Sequence, residues 1–328
     1  MHLILDSIIY QLQAHGGITQ FWQNLCSRMK SYPDLDTEEI AGHKLLRYNP
    51  LWMRCDVFHS SYYRLNFWPG VRNVVTVYDF LYERGHVESR FRHLHIWQKR
   101  AAIRRADAVV CISENTRQDL LRFYPDAENR ASVVHLAAGH SEPGAPGRAT
   151  AHIETRPFFL FVGHRYGYKQ FELVVQAMTE ARLFDQYDLV CTGSPFSEAE
   201  QKSFSDNQIA TYVKSIPGAT PGEMQALYAH AKALVYPSLY EGFGLPVVEA
   251  MTAGCPVVAC DSSSIPEVAG NAALLFLPGD LPGLVRALEQ VCQKGARERY
   301  AALGQIQAEK FSWEKTVAGY HKIYQALK

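Results

Sequence analysis

Residues 233–259 read ALVYPSLYEGFGLPVVEAMTAGCPVVA. The short apolar run ending at Tyr236 predicts a buried strand, and a glycine-bearing loop with Glu241, Gly242, Phe243 and Gly244 follows it. Pro246 sits where the first helical turn tolerates a missing N–H, Gly254 closes the helix, and Pro256 opens a second apolar strand. Strand, loop, helix and strand in that order, with strands apolar throughout rather than alternating, predict a parallel sheet covered on both faces.

The same alternation extends outward. FFLFV (158–162), DLVCT (188–192) and ALLF (273–276) predict further buried strands, with helices over 171–184, 221–231, 246–252 and 281–293. Toward the N-terminus the pattern predicts strands over 3–9, 57–59, 74–77 and 108–112, a loop over 11–17, and helices over 19–29, 88–105 and 114–123. Ser113 is placed as the N-cap of the last of these.

At 328 residues the chain exceeds the roughly 150 usual for one domain. The stretch HSEPGAPGRATAHIETRP (140–157) lacks any apolar period, which places a linker at 146–157 between an N-terminal half, 1–145, and a C-terminal half, 158–312. A last helix over 313–327, behind a Ser312 cap, could pack on either half. Ligands of open parallel sheets bind at the carboxyl ends of the strands, so two facing sheets would hold one in the cleft between them.

Composition narrows the function. With 47% hydrophobic and 12% aromatic residues the chain is a folding one, not a disordered one. Lys+Arg and Asp+Glu both number 33, so net charge gives no reason to expect nucleic acid as a partner. Seven scattered cysteines with no CxxC pair suit a reducing compartment. Asp6 interrupts the first apolar run, which has no basic start, so no signal peptide is expected, and no stretch reaches the ~20 apolar residues of a membrane span. A cytoplasmic protein is expected. No GxGxxG follows the first strand and no GxxxxGK[ST] occurs, against a dinucleotide oxidoreductase or a P-loop enzyme. Asp34-Leu-Asp36 has no strand before it, and His93 and His95 have no metal-ligand partners nearby, so no metal site is expected.

Three loops carry chemistry. The helix after Gly244 presents free N–H groups and a positive dipole end, which suit a phosphate. Glu241 and Glu249 would repel that phosphate, so they suit sugar or ribose hydroxyls; the plain alternative is a solvated glutamate and an ordinary first-turn one. Arg165 and Lys169, in FVGHRYGYKQ (161–170), could neutralise a diphosphate or be surface cations. Gly16 and Gly17, in HGGI (15–18), allow close backbone approach but also make a common turn.

Glu241 and Glu249 with seven residues between, in EGFGLPVVEAMTAGCPVVA, followed by SSSIPEVAGNAALLF, resemble the signature of glycosyltransferase family 4. FVGHRYGYKQ, HGGI, ADAVVCISENTRQDL and FSWEKTVAGY resemble other parts of that family. The resemblance implies the α/β GT-B fold, two Rossmann-like domains facing across a cleft, and a retaining nucleotide-sugar transferase. It implies Arg165 and Lys169 on the donor diphosphate, Glu249 on the ribose, and Glu241 with Gly242, Phe243, Gly244 and Leu245 on the transferred sugar. Gly16 and Gly17 would close over the phosphates, and the last helix would cross back to the N-terminal domain. Similarity to mannosyltransferases of polysaccharide and O-antigen assembly implies a hexose donor, with GDP-mannose the suggested one, a glycan or lipid-linked glycan acceptor, and no cofactor.

One position departs from the family. Where relatives often carry His-Asp at a strand end, this chain has Tyr78-Asp79. Asp79, Glu83 and His59 then stand as acceptor-side candidates beside Tyr78, although Asp79 could equally cap a turn and His59 be a satisfied core histidine. A retaining transfer needs no strong base, because the departing diphosphate oxygen can take the acceptor's proton on the same face. A same-fold nucleotide-sugar epimerase, a phosphorylase and an inactive donor-binding regulator are the rivals. Finally, residues 89–105 hold six basic and no acidic residues with Phe91, Leu94, Ile96 and Trp97 among them. That segment could rest on anionic lipid, at the inner membrane, or be a solvated helix face.

Overall fold

The computed structural model describes residues 1–13, 16–138 and 156–328. His15 and most of the linker placed at 146–157 lie outside the described residues. The chain forms two compact units, Met1–Ala137 with Ser312–Lys328, and Ala138–Phe311.

In the first unit, β1 (His2–Asp6), β2 (Asp36–Ile40), β3 (Val57–Ser60), β4 (Arg72–Val77), β5 (Ala108–Cys111) and β6 (Ala131–Val133) form a parallel sheet in the order β2-β1-β3-β4-β5-β6. In the second, β7 (Phe158–Val162), β8 (Asp188–Gly193), β9 (Val213–Pro217), β10 (Leu234–Tyr236), β11 (Val257–Cys260) and β12 (Ala273–Phe276) pair as β12-β11-β10-β7-β8-β9, again all parallel. Four of the five residues of β7 are buried, because crossover helices cover both faces of the sheet. Phe159 and Phe161 share one core with Val174 and Met178 of the Phe171–Glu180 helix and with Leu284 and Leu288 of the Leu281–Cys292 helix.

Strand order reverses once in each sheet. β8 and β9 extend to one side of β7 while β10 starts the other; in the first sheet β2 and β3 flank β1 in the same way. At such a reversal the loops leave the sheet in opposite directions and open a crevice at the carboxyl ends of the strands.

The Trp313–Ala326 helix packs on the first unit. Its Tyr324 and Tyr320 hydroxyls meet His59 Nδ1 at 2.7 Å and Thr76 Oγ1 at 3.0 Å, and Trp313 stacks on Phe21 at 5.6 Å. Burial of Trp313, Val317, Tyr320 and Tyr324 at about 1.5–3 kcal/mol each holds the helix there. Ser312 accepts from the Lys315 N–H and Ser113 from the Thr116 N–H, the two predicted caps.

Several element predictions need correction. The strand placed at 3–9 ends at Asp6, and Ile9–Leu12 is a helical turn that runs from the end of the predicted strand into the predicted loop. Ile8 and Ile9 are buried, so apolarity there reflects core packing and not strand. The helix placed at 88–105 begins at Arg92, and that placed at 171–184 ends at Glu180, before a 3-10 turn at Leu183–Asp185. The strands β2, β6 and β9, and the helices Glu198–Asp206, Ile265–Ala269 and Ala296–Ala308, were not predicted.

Candidate functional site

The crevice between β7 and β10 gathers a charged cluster. Lys169, in the loop after β7, donates from Nζ to Glu241 Oε1 at 2.5 Å and to the Tyr236 hydroxyl at 3.1 Å. Tyr236 ends β10 and Glu241 lies in the loop beyond it. The Leu239 N–H donates to the Tyr168 carbonyl at 2.8 Å, tying the two loops together. Lys169 is buried, yet its charge is neutralised by Glu241, which makes that burial tolerable.

Three consecutive serines after β11 hold the glutamate loop. The Ser262 hydroxyl donates to the Leu239 carbonyl, Ser263 Oγ accepts from the Glu241 N–H at 2.8 Å, and Ser264 Oγ donates to the Glu241 carbonyl at 3.0 Å. Gly242, Phe243 and Gly244 complete the loop, with Phe243 buried edge-on against Phe311. Gly244 adopts φ +98° at the N-cap of the Leu245–Thr252 helix, and a Cβ there would also meet Ile265 Cδ1 at 2.7 Å. Only glycine fits that turn without strain. No side chain caps this helix, and Leu245 and Pro246 form its first turn.

Glu249 lies one turn further along. It accepts the Tyr228 hydroxyl at 2.9 Å, and burial raises its carboxyl pKa against that hydrogen bond. Sequence reasoning found Lys169, Glu241 and Glu249 but missed Tyr228, Tyr236 and the role of the serines.

Arg165 has a different set of partners. Its guanidinium donates to Glu200 at 2.6 and 3.3 Å and to the Ser194 and Pro195 carbonyls at 2.8 Å each, and it lies over the Phe196 ring at 4.6 Å. Glu200 also closes the capping box of the Glu198–Asp206 helix. Burial alone would raise the Glu200 carboxyl pKa, but the hydrogen bonds from Arg165 and Ser197 prevail and lower it. Lys169 thus engages Glu241 and Tyr236, while Arg165 braces the loop after β8.

In the first unit Gly16 and Gly17 open the Gly17–Met29 helix, with the Gln20 N–H bonded to the Gly16 carbonyl and no acidic residue in its first turn. Two acceptor-side candidates are corrected. His59 is fully buried with both ring nitrogens engaged, by Tyr324 and by Thr76 at 2.9 Å, and desolvation lowers its pKa to about 3. Glu83 forms a buried ion pair with Lys99 at 2.9 Å. Both are core groups. Tyr78 is buried with its hydroxyl unpartnered among the described residues, and it meets Phe21 edge-on. Asp79 Oδ1 accepts the Leu81 N–H at 3.2 Å, a local turn, and the residue is only part-buried. Beyond β3 and β4, Tyr62, Tyr82 and Arg47 surround His95, which sequence reasoning weighed only as a metal ligand. Burial and the Arg47 and Lys99 charges lower the His95 pKa to about 4.

Family profiles match both units: one for glycosyl transferases group 1 over residues 148–309, and one for glycosyltransferase family 4 over residues 28–138. The O-antigen chain mannosyltransferase B of Escherichia coli is 28% identical over 279 residues, covering 78% of this chain and 71% of that protein. Among solved structures, a sucrose-phosphate synthase from Thermosynechococcus elongatus superimposes with TM-score 0.78 at 18% identity, over 99% of this chain and 98% of the other. HepE of Anabaena, solved with UDP and glucose, gives TM-score 0.71 at 14% identity, over 99% and 98%.

Proposed function

Because the chain belongs to the family 4 glycosyltransferases and has their GT-B fold, we propose that it transfers a hexose from a nucleoside-diphosphate sugar to a glycan or lipid-linked glycan in cell-surface polysaccharide assembly, with retention of anomeric configuration. The observation that carries this reading is the Lys169, Tyr236 and Glu241 cluster at the strand-order reversal between β7 and β10. The mannosyltransferase relative supports mannose as the hexose and O-antigen assembly as the setting, and GDP-mannose is the donor we propose.

In this proposal Lys169 and the N–H groups opening the Leu245–Thr252 helix take the negative charge of the departing diphosphate. Glu241 accepts hydrogen bonds from hydroxyls of the transferred sugar, and Glu249, held by Tyr228, from the ribose. The acceptor hydroxyl attacks the anomeric carbon from the face the diphosphate leaves, and the leaving oxygen receives its proton. Asp79, in the first unit, is the proposed partner of the acceptor. The protein supplies position and charge rather than a strong base, and the proposal includes no metal. Seven free cysteines fit a cytoplasmic location.

Incubating the protein with a panel of nucleotide sugars, with and without glycan acceptors, tests the proposal. Acceptor-dependent product whose new linkage keeps the donor's configuration is expected. Sugar isomerisation with donor alone, or no turnover with any acceptor, would refute it.

A further inference from the structure

Eight of the eleven exposed large hydrophobic side chains among the described residues lie between positions 45 and 97. They fall on three segments of the first unit. The Lys44–Leu46 turn and its flank expose Leu45, Leu46 and Tyr48. The stretches around residues 52 and 68 expose Trp52 and Trp68, and the start of the Arg92–Arg105 helix exposes Phe91, Leu94 and Trp97. In a protein with buried cores on both sheets, such clustering marks a surface that meets something apolar.

The three segments touch one another. Arg47 Nη2 lies 3.1 Å from His95 Nδ1 on the helix, and Gln98 Nε2 donates back to the Arg47 carbonyl at 2.8 Å. At the far end, the Arg105 guanidinium lies over the Phe67 ring at 4.5 Å, and that ring lies 5.8 Å from Trp52. The helix is thus flanked along its length. Its inner side buries Gln98, Lys99, Ala102 and Ile103, while Leu94, Trp97, Arg100 and Arg104, spaced three, three and four residues apart, follow one outer face. Apolar side chains face solvent at one end of that row and guanidinium groups at the other.

Charge identifies the occupant. Residues 42–55, 61–72 and 89–105 contain no Asp or Glu, although the chain as a whole has 33. Lys44, Arg54, Arg90, Arg100, Arg104 and Arg105 are exposed, and none is in an ion pair among the described residues. Tryptophan and tyrosine with long cationic stems suit the boundary between lipid headgroups and acyl chains, where the ring enters and the charge stays with the phosphates. No helix among the described residues is long and apolar enough to cross a membrane.

From this juxtaposition we infer that the face built by the Lys44–Leu46 turn, Trp52, Trp68 and the outer side of the Arg92–Arg105 helix docks on an anionic bilayer surface. Leu94, Trp97 and Trp52 enter the headgroup layer, and Arg100 and Arg104 pair with lipid phosphates. The inference stands on the first unit alone and does not depend on which sugar the second unit binds.

Co-sedimentation of the full chain with vesicles of equimolar phosphatidylglycerol and phosphatidylcholine, and with phosphatidylcholine alone, tests it. Binding at least tenfold tighter to the anionic vesicles, weakening as salt rises, is expected. Arg100→Gln with Arg104→Gln should remove most of the preference for anionic lipid, and Leu94→Ser with Trp97→Ser should weaken binding to both vesicles about tenfold. Tyr166→Ser with Leu277→Ser, exposed apolar positions on the second unit, should change neither. Equal binding to the two vesicle types, arginine variants that bind like the parent, or self-association through Trp97 in place of vesicle binding would overturn the inference. All substituted side chains are exposed, and a thermal unfolding curve for each variant checks that it folds.

Discussion

Lys169 Nζ lies 2.5 Å from Glu241 Oε1, so the cation proposed for the donor diphosphate is neutralised by the carboxylate proposed for the sugar. A diphosphate must compete with Glu241 for Lys169. A complete nucleotide sugar offsets that competition by offering hydroxyls to the displaced carboxylate, whereas a bare nucleoside diphosphate cannot. Under the proposed roles the pair would favour the donor over the spent product.

Glu241→Gln removes the competitor and keeps the shape. A charge-assisted hydrogen bond is worth about 1.5–3 kcal/mol, so affinity for the bare nucleoside diphosphate should rise about tenfold while transfer slows about a hundredfold. Calorimetric titration of the diphosphate and initial rates check both halves. Weaker diphosphate binding would show that Lys169 is not held back by Glu241.

Arg165 and Glu200 make a contrasting pair, because their partners are structural. Removing one partner of a largely buried ion pair leaves the other uncompensated. Arg165→Ala should therefore destabilise the second unit by about 2 kcal/mol, a drop in Tm of about 5 °C. Arg165→Lys should recover little, since an ammonium cannot span Glu200 and two carbonyls at once. A thermal scan without ligand decides: an unchanged Tm would return Arg165 to the role of a free phosphate ligand.

Tyr228 holds Glu249 by a single hydroxyl. Tyr228→Phe should raise the donor KM about five- to tenfold with little change in kcat, as expected when binding is lost equally from ground and transition states. A fall in kcat at constant KM would contradict the assignment of Glu249 to the ribose.

The buried His59 gives stability a pH dependence of known sign. Its pKa falls from 6.5 to about 3 on folding, so the unfolded chain binds the extra proton. Stability is complete above pH 6.5 and is lost as pH falls from there toward about 3. The limiting slope is about 1.4 kcal/mol per pH unit, so roughly 2 kcal/mol should go by pH 5. His95 adds to the same trend, its pKa lowered to about 4. Urea unfolding of the first unit at about pH 7.5 and about pH 5 should show this loss, and His59→Gln should show a smaller one. Equal pH slopes for the two proteins would mean that His59 does not titrate on unfolding.

Particular residues show where the sequence was readable. FFLFV, DLVC and VVAC lie inside a sheet covered on both faces, so their apolar runs could have no other use. Three strands escaped, β2 (DTEEI), β6 (ASV) and β9 (VKSIP), and each is an edge strand. An edge strand is half solvated, so its sequence need not be apolar. Lys169, Glu241 and Glu249 were legible because glycines and a proline frame their loops. Tyr228 and Tyr236 were not, because each reads as an ordinary core aromatic until the fold brings it to a charged group 21 or 67 residues away. His59 failed as an acceptor candidate for the same reason: its partner Tyr324 stands 265 residues off.

The central claim is that Lys169, beside Glu241 and Tyr236, carries the leaving-group charge of a glycosyl transfer. The most direct measurement is transfer of labelled hexose from GDP-mannose and other nucleotide sugars to a glycan acceptor by the parent protein and by Lys169→Met, each first confirmed folded. The proposal predicts acceptor-dependent transfer by the parent, slowed about a hundredfold or more in Lys169→Met. Transfer by Lys169→Met at the parent's rate would contradict it.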